Sequence, residues 1–257
     1  MEQTLRNRLF FGTLMLLALF VLLWVDQAVQ RYTLLLGWNR TDHGPAGFGG
    51  VGLIILLVVI LPVATRELAA LFTVENVQPY RTVVFFGSCA LLIHAFATQF
   101  PRFRPIAAST LAFIIVSVML IAAFQRAATR QTQEAITRMA GTVLSTLYLG
   151  GLAWFLIALR VKRSWSEGEP RFIGSTMVVL MILLVVKFTD IGAYFGGRAF
   201  GKHKLIAWLS PKKTWEGLAC GLLTAGLVGA ACAPRVSQLS WQRAFVFGVV
   251  IGGVGQL

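Results

Sequence analysis

Long apolar runs separated by short polar connectors constrain this chain more than any other feature of its sequence. Only 13% of the residues are charged and 57% are hydrophobic, whereas about a quarter of the residues of a soluble domain are charged. Eight runs are about as long as a helix that crosses a hydrocarbon core, or slightly shorter. They are approximately Leu9–Val25, Val51–Leu71, Thr82–Ala97, Ile106–Phe124, Ile136–Leu159, Phe172–Thr189, Leu218–Ala233 and Trp241–Leu257.

Helices are the secondary structure that fits these runs. Lipid offers backbone groups no hydrogen-bond partner, so a span is either a helix or a strand of a closed barrel. The runs are too long and too uniformly apolar for barrel strands. The first run follows Arg6 and Arg8 like a signal peptide, but it is long and no Ala-x-Ala site follows it, so we expect an uncleaved span. The sequence predicts an all-α, polytopic integral membrane protein with about eight transmembrane helices.

The net charge of +13 does not indicate nucleic acid binding, because the cations lie in short connectors where they meet anionic headgroups. Three cysteines lie in apolar runs at Cys89, Cys220 and Cys232. Their odd number and their spacing predict neither a disulfide nor a zinc site. His94 also lies in an apolar run, where we expect a packed, hydrogen-bonded structural role.

The distribution of basic residues predicts the orientation. With the N-terminus inside, a narrow majority of the Lys and Arg residues lies on the inner side of the membrane, which the positive-inside rule favours. Four residues oppose this orientation, namely Arg160, Lys162, Arg163 and Arg171. We therefore expect a multi-pass protein of the inner, cytoplasmic membrane, with its polar site at the cytoplasmic interface.

One connector, "DIGAYFGGRAFGKHKLIAWLSPKKTWEG" (Asp190–Gly217), concentrates the polar chemistry of the chain. Asp190 comes where the sixth run ends, close to Lys187, and a carboxylate at that depth must be paired, hydrated or metal-bound. The glycines fit either a tight approach of the backbone to a ligand or a helix packed through small residues. The glycines alone do not decide between these alternatives.

The stretch "LSPKKTWEG" predicts a helix start, with Ser210 as N-cap and Pro211 in the first position. Lys212 and Lys213 then fall in the first turn, where the helix is already positive. Two lysines are favourable there if an anion binds to the same amides, as phosphate does. Glu216 then relieves the repulsion, holds a divalent metal or pairs with a lysine. An ordinary cap in a positively charged connector is the alternative.

These residues resemble a segment of the phosphatidate cytidylyltransferase (CDP-diacylglycerol synthase) family. That segment reads Asp-x-x-Ala-Tyr-x-x-Gly-Arg-x-x-Gly-Lys…Ser-Pro-x-Lys-Thr-x-Glu-Gly. The close likeness covers about 28 residues, and outside it only the series of hydrophobic spans is similar. Lys187 stands where the family has a small or polar residue. The matching positions are Asp190, Tyr194, Gly197, Arg198, Gly201, Lys202, Ser210, Pro211, Lys213, Thr214, Glu216 and Gly217.

The resemblance implies a membrane enzyme of phospholipid synthesis. Such enzymes join CTP and phosphatidic acid to give CDP-diacylglycerol and pyrophosphate, and they require Mg²⁺. We expect catalytic roles for Asp190, Lys213 and Glu216, with Asp190 and Glu216 as candidate metal ligands. The expected partners are CTP, phosphatidic acid, membrane lipids and a second copy in a homodimer. The expected substrate-binding residues are Tyr194, Arg198, Lys202, Lys204, Ser210, Lys212 and Thr214.

The family's further signature, Ser-x-x-Lys-Arg-x-x-Lys-Asp followed by Pro-Gly-His-Gly-Gly and Asp-Arg-x-Asp, would follow Gly255-Gln256-Leu257. We expect a C-terminally truncated member and leave open whether it is active as it stands. In this interpretation, residues 1–189 form the N-terminal transmembrane helices. Residues 190–257 begin the catalytic region, with the connector and two helices, and the whole is one family domain.

Three other functions stay open from the residues alone. A CTP-dependent polyprenol or phytol kinase needs the same phosphate chemistry with a different acceptor. A transporter of an anionic solute has broken helices in paired halves and charges near the bilayer midplane; here the polar residues gather in one connector. A structural membrane scaffold needs no such connector.

Overall fold

The computed structural model describes residues 2–37, 39–41, 44–129, 135–161, 165–166, 169–170, 173–206, 210–236 and 239–256. These residues form helices joined by short connections. The helices are α1 (Glu2–Leu35), α2 (Val51–Val74), α3 (Arg81–Ala97), α4 (Ala107–Thr129), α5 (Ala135–Thr146), α6 (Leu152–Val161), α7 (Ile173–Phe200), α8 (Trp215–Cys232) and α9 (Trp241–Gln256). A π-helical turn, Leu147–Gly151, makes α5 and α6 continuous, and single 3₁₀ turns precede α4 and follow α8.

Three small antiparallel hairpins accompany the helices in the described residues. The strands are β1 (Asn39–Thr41), β2 (Gly44–Ala46), β3 (Trp165–Ser166), β4 (Glu169–Pro170), β5 (Lys204–Ile206) and β6 (Ser210–Thr214), and they pair in chain order. In the third hairpin Lys204 lies opposite Thr214 and Ile206 lies opposite Ser210. The chain is thus built from helices, and β5–β6 is the hairpin that bears on the predicted site.

Five helical stretches of the described chain are long and apolar enough to cross a membrane, namely Val51–Val74, Arg104–Ala128, Ala135–Val161, Thr176–Phe200 and Trp215–Arg235. This confirms the expected all-α, polytopic membrane protein. α1 has 34 residues and is long enough for a further span, and the expected count of about eight spans stays a prediction. α3 is apolar but has 17 residues, and α9 has 16, against the roughly 20 that a typical span needs.

The chain divides into two compact units, Met1–Lys162 (unit 1) and Arg163–Leu257 (unit 2). The expected division between residues 189 and 190 lies within α7, and that division of the chain stays a prediction. The helix runs eleven residues beyond the predicted end of the sixth span, from Asp190 through Phe200. The predicted connector is therefore helical over its first part.

In unit 1, helices α2, α3 and α6 pack around one apolar cluster. Its buried members are Leu53, Leu92, Ala95, Ile157 and Val161. His94 lies beside this cluster on α3. Its Nε2 is hydrogen-bonded to the Ala107 carbonyl oxygen (2.8 Å), and its Nδ1 accepts from Trp154 Nε1 (2.9 Å). His94 has the structural role expected from its apolar surroundings.

A buried ion pair joins α1 to α6 in unit 1. Arg160 Nη2 lies 2.7 Å from Asp26 Oδ2, and both side chains have 0% exposure. The carboxylate of Asp26 also accepts the backbone N–H groups of Gly50 (3.0 Å) and Gly52 (2.8 Å) at the start of α2. Gly50 has φ of +84°, a conformation that favours glycine. Arg160 therefore lies inside the protein, rather than among the outer interfacial charges that the sequence suggested.

In unit 2, α7, α8 and α9 pack closely through small residues. A Cβ built on Gly217 of α8 would lie 2.8 Å from the Ala193 carbonyl oxygen and 3.1 Å from the Gly197 Cα of α7. A Cβ on Gly252 of α9 would lie 2.7 Å from the Ala225 Cβ of α8. Two of these distances are below 3.0 Å, so a side chain at either glycine would force its neighbours to move. Of the two alternatives for the connector glycines, the structure supports small-residue helix packing.

Candidate functional site

The predicted site residues lie where α7 ends, β5–β6 turns the chain and α8 begins. The Thr214 side chain lies beside Gly197 and Gly201 at the end of α7. The Trp215 N–H donates to the His203 carbonyl oxygen (3.0 Å), which joins the hairpin to the start of α8. The last turn of α9 reaches the same region through Gln256. Three helices of unit 2 therefore position one polar surface.

Asp190, Tyr194 and Arg198 lie on one face of α7, because they are four residues apart. All three side chains are exposed. The guanidinium Nη1 of Arg198 donates to the Tyr194 hydroxyl oxygen at 3.3 Å. The structure thus brings three of the predicted site residues into one row that runs toward the hairpin.

Gln256 links Asp190 to Lys213. Its side-chain Nε2 donates to Asp190 Oδ1 (2.8 Å), and its backbone carbonyl oxygen accepts from Lys213 Nζ (2.6 Å). The three residues come from α7, β6 and α9. A carboxylate and an ammonium group, both of which we expect to be catalytic, are thus joined through one residue of α9.

Glu216 is engaged with the segment that follows α7. Its carboxylate accepts the backbone N–H groups of Lys202 (3.1 Å) and His203 (3.3 Å). The same carboxylate is paired with His203 Nδ1 at 2.7 Å. Glu216 lies in the first turn of α8, where the helix dipole favours an acid. Its described contacts fasten the hairpin to the helix start.

Thr214 is the N-cap of α8. Its hydroxyl oxygen accepts from the Gly217 N–H (3.1 Å), and the residue is 8% exposed. The structure therefore uses the Thr214 hydroxyl within the fold, and a direct role in substrate binding stays a prediction.

The remaining predicted residues lie on or beside the β5–β6 hairpin. Lys202, Lys204 and Lys212 are exposed, and Ser210 is half-buried. Lys212 and Lys213 are neighbours on β6, and successive side chains of a strand point to opposite faces. The hairpin therefore presents its cations on more than one face.

The predicted helix start at Ser210 is wrong. Residues Ser210–Thr214 form β6, and α8 begins at Trp215 with Thr214 as its cap. Pairing with β5 and packing of Thr214 against α7 override the local capping signal of Ser-Pro, and proline is tolerated in such an edge strand. Lys212 and Lys213 are consequently outside the first helical turn, so the expected anion cradle at that position loses its geometric basis.

The described residues do not form a metal site by themselves. Among them, no three His, Cys, Asp or Glu side chains come together. Gly197 and Gly217 lie opposite each other, and Asp190 is about 10 Å from that level at 1.5 Å per helical residue. Glu216 is bonded to residues beyond the end of α7, on the side away from Asp190. The two carboxylates thus have different neighbours, and their roles as metal ligands stay predictions.

Sequence reasoning missed two residues of this surface. Gln256 carries no charge and lies 66 positions from Asp190, and nothing local marks it as a partner of Asp190 and Lys213. His203 stands out in the sequence because of its lysine neighbours, but only the hairpin shows that it faces Glu216.

Comparison with known proteins identifies related chains. Phosphatidate cytidylyltransferase 5 (chloroplastic) of Arabidopsis thaliana is 29% identical over 163 residues, which are 57% of this chain and 37% of that protein. Phosphatidate cytidylyltransferase of Brucella suis is 38% identical over 102 residues, 34% of this chain and 37% of that protein. The Haemophilus influenzae phosphatidate cytidylyltransferase is 52% identical over 48 residues, 19% of this chain and 17% of that protein.

The aligned stretches cover at most 37% of the length of these three relatives. No solved structure matches the chain. The sequence pattern of the cytidylyltransferase family matches residues 46–257, which is most of the chain and includes all of unit 2 and most of unit 1. By this match the chain belongs to the cytidylyltransferase family.

Proposed function

We propose that this protein takes part in phospholipid biosynthesis as a nucleotidyltransferase that makes CDP-diacylglycerol and pyrophosphate from CTP and phosphatidic acid. The observation that carries this proposal is the joined set Asp190–Gln256–Lys213, in which Asp190 and Lys213 belong to the segment that resembles the family motif. The names of the relatives in Arabidopsis, Brucella and Haemophilus support the same activity. Family membership favours it over the lipid-kinase and transporter alternatives.

The proposed reaction is an in-line displacement at phosphorus. A phosphate oxygen of phosphatidic acid forms a bond to the α-phosphorus of CTP, and the bond from that phosphorus to the bridging oxygen of pyrophosphate breaks. The attacking oxygen is already anionic, so no strong general base is needed. The main barriers are bringing two anions together and stabilising the charge on the leaving pyrophosphate, which fixed cations lower.

The exposed cations of unit 2 supply this charge. Lys213 is positioned by Gln256 beside Asp190, and we assign it to the phosphates of CTP. Arg198, fixed to Tyr194 on α7, is assigned to the phosphate of the lipid. Lys202, Lys204 and Lys212 add positive charge around the hairpin. A site at a membrane surface suits these substrates, since acyl chains stay in lipid while CTP arrives from water.

Mg²⁺ is part of the proposal through family resemblance. When bound, it would neutralise phosphate charge during nucleotidyl transfer. Asp190 is exposed and would supply one carboxylate ligand. The described residues around it do not complete a metal site, so the other ligands are not assigned.

Replacement of Lys213 by Ala in the whole protein tests the function. The protein is reconstituted in vesicles that contain phosphatidic acid, and radiolabelled CTP is followed into lipid. We expect at least a ~100-fold loss of rate, the size typical of removing a preorganised charge from a transfer site. Arg243→Ala is the matched control, because Arg243 is an exposed cation near the start of α9. Near-normal turnover in the Lys213 variant would contradict the assignment.

The products separate this function from its rival. Nucleotidyl transfer yields CDP-lipid and releases pyrophosphate, whereas a CTP-dependent lipid kinase yields a phosphorylated alcohol and CDP. Detection of CDP with phosphorylated polyprenol, and of no CDP-diacylglycerol, would replace the proposed activity by the kinase.

We also propose that the protein lies in the cytoplasmic membrane with its site facing the cytoplasm, and that it forms a homodimer. Labelling of Lys212→Cys by a membrane-impermeant reagent, in a variant without the native cysteines, tests the orientation. Labelling in intact cells would reverse it, and labelling only after permeabilisation would support it. Chemical cross-linking in membranes tests the dimer.

A further inference from the structure

Two cavities on unit 1 share two of their lining residues. The first, about 490 Å³, lies between α3 and α4 and is lined almost wholly by apolar side chains. The second, about 470 Å³, lies around the start of α3 and the end of α2, and most of its lining residues are polar. Thr82 and Gln125 line both. The two cavities therefore adjoin at these residues, and we call them together the groove, with an apolar part and a polar mouth.

The apolar part has a closed floor and open walls. Val83, Gly87 and Val118 form the floor, where α3 and α4 touch; a Cβ on Gly87 would lie 2.8 Å from Val118 Cγ2. Phe86 and Phe113 line the sides and are 68% and 71% exposed. α4 belongs to a stretch that is long and apolar enough to span a membrane. This groove therefore faces the hydrocarbon of the bilayer, where an acyl chain is the available occupant.

The polar mouth has the chemistry of a phosphate site. Arg81 and Thr82 lie in the first turn of α3 and line the mouth. The first amides of a helix have no intrahelical partner, and the helix dipole makes this end favourable for anions. The backbone N–H of Tyr80, which precedes the helix, donates to Thr142 Oγ1 (2.9 Å). The helix start is thus fixed in place beside an arginine.

Positive charge outnumbers negative charge among the described residues at this end of unit 1. Arg126 lies in the last turn of α4, and Arg138 of α5 donates to Gln78 Oε1 at 2.7 Å. Gln78 also lines the mouth. Glu67 of α2 and Glu75, which caps the end of α2, are the described acids in these segments. The charge complements an anionic headgroup rather than a zwitterionic one.

We propose that this groove binds one anionic glycerophospholipid, with an acyl chain between α3 and α4 and the phosphate at Arg81 and the first turn of α3. The site is separate from the candidate site of unit 2 and does not depend on the proposed catalytic activity. Diester and monoester phosphate lipids share the required chemistry. The headgroup series below distinguishes them.

The test measures lipid retained by the detergent-solubilised whole protein in native mass spectrometry. Palmitoyl-oleoyl phosphatidylglycerol, phosphatidic acid and phosphatidylcholine are titrated separately. We expect both anionic lipids to bind more tightly than phosphatidylcholine. Arg81→Gln should weaken the anionic lipids by about fivefold, the size of an exposed charge pair, and leave phosphatidylcholine unchanged. Arg66→Gln, at an exposed arginine of α2, is the matched control.

A second variant fills the groove. Ala90→Phe places a large side chain in the apolar part, whose lining includes Ala90. We expect at least about tenfold weaker binding of every lipid, since several methylene groups lose their buried contacts. Ile93→Phe, at a 60% exposed position of α3 outside the lining, should bind as the wild type does. Equal binding by the Ala90 and Ile93 variants would overturn the site.

A measurement on the unmodified protein covers the case in which Ala90→Phe fails to fold. Phosphatidylglycerol with a photoreactive diazirine in one acyl chain is incorporated, and the labelled peptides are mapped. Labels concentrated on α3 and α4 near Phe86 and Phe113 support the groove. Labels spread evenly over the apolar helices, or confined to unit 2, would refute it. The readout is binding, so failure here leaves the proposed enzymatic function standing.

Discussion

Asp26 and Arg160 in unit 1 are fully buried and bonded directly to each other, whereas Asp190 and Lys213 in unit 2 are exposed and joined through Gln256. The first pair ties α1 to α6 and the start of α2. The second occupies a surface where helix ends meet. A charge in an apolar chain is therefore not by itself a sign of function. Burial and pairing distinguish a charge that holds the fold from one that can meet a ligand.

Loss of the buried pair gives the largest expected effect. Arg160→Met leaves the carboxylate of Asp26 buried without its cation, and removal of one partner of a buried pair typically costs about 3–5 kcal/mol. We expect this loss in the free energy of unfolding, measured by denaturation in mixed micelles. Arg66→Met, at an exposed arginine, should change it by less than about 0.5 kcal/mol.

A double variant separates the energy of the ion pair from the cost of leaving one charge buried alone. Asp26→Leu with Arg160→Met removes both charges, so it should lose less stability than the two single variants lose together. Part of the loss remains, since Asp26 also accepts the N–H groups of Gly50 and Gly52. If the double variant loses as much stability as the two single variants lose together, the two charges do not stabilise each other.

Asp190, the exposed acid, should affect activity and leave stability nearly unchanged, which is the reverse of the buried pair. Asp190→Asn keeps an oxygen that accepts from Gln256 but removes the charge. We expect stability within about 0.5 kcal/mol of the wild type and a loss of CDP-diacylglycerol synthesis of about 100-fold, the size of a lost electrostatic contribution in a transfer site. Activity within a few-fold of the wild type, together with unchanged Mg²⁺ dependence, would place Asp190 outside the site.

The smallest expected effect concerns Thr214, the N-cap of α8 that packs against the end of α7. Thr214→Ala removes the side-chain oxygen that accepts from the Gly217 N–H. Loss of an N-cap typically costs about 1 kcal/mol, measurable as a lower unfolding midpoint in the same micelles. Thr214→Ser keeps the oxygen and should recover most of the stability. If the Ser and Ala variants are equally unstable, packing against Gly197 and Gly201 matters more than the cap.

The sequence predicts the helices well where a run is long and uniformly apolar. The run Val51–Leu71 becomes α2 and Ile106–Phe124 becomes most of α4. Such runs form helices in lipid whatever their neighbours are, because the backbone must satisfy its own hydrogen bonds. The all-α fold class therefore follows from the sequence alone.

The sequence does not predict helix ends or the role of a charge where contacts between residues far apart in the chain determine them. Ser210 and Thr214 are both acceptable N-caps, and pairing of Lys204 with Thr214 selects the second. The sixth run ends at Thr189 by composition, but packing of α8 on α7 extends the helix to Phe200. Arg160 resembles an interfacial charge until its contact with Asp26 is known. The motif residues of unit 2 could be named from the sequence, but their connection through Gln256 could not.

The last turn of α9 has one more consequence for the electrostatics of unit 2. Because Gln256 stands between Asp190 and Lys213, the carboxylate and the ammonium group do not cancel in a direct salt bridge. The neutral Gln256 lies between them, so the negative charge of Asp190 and the positive charge of Lys213 stay separate but close together. Such a surface can present a positive and a negative group to a ligand that itself carries charges of both signs.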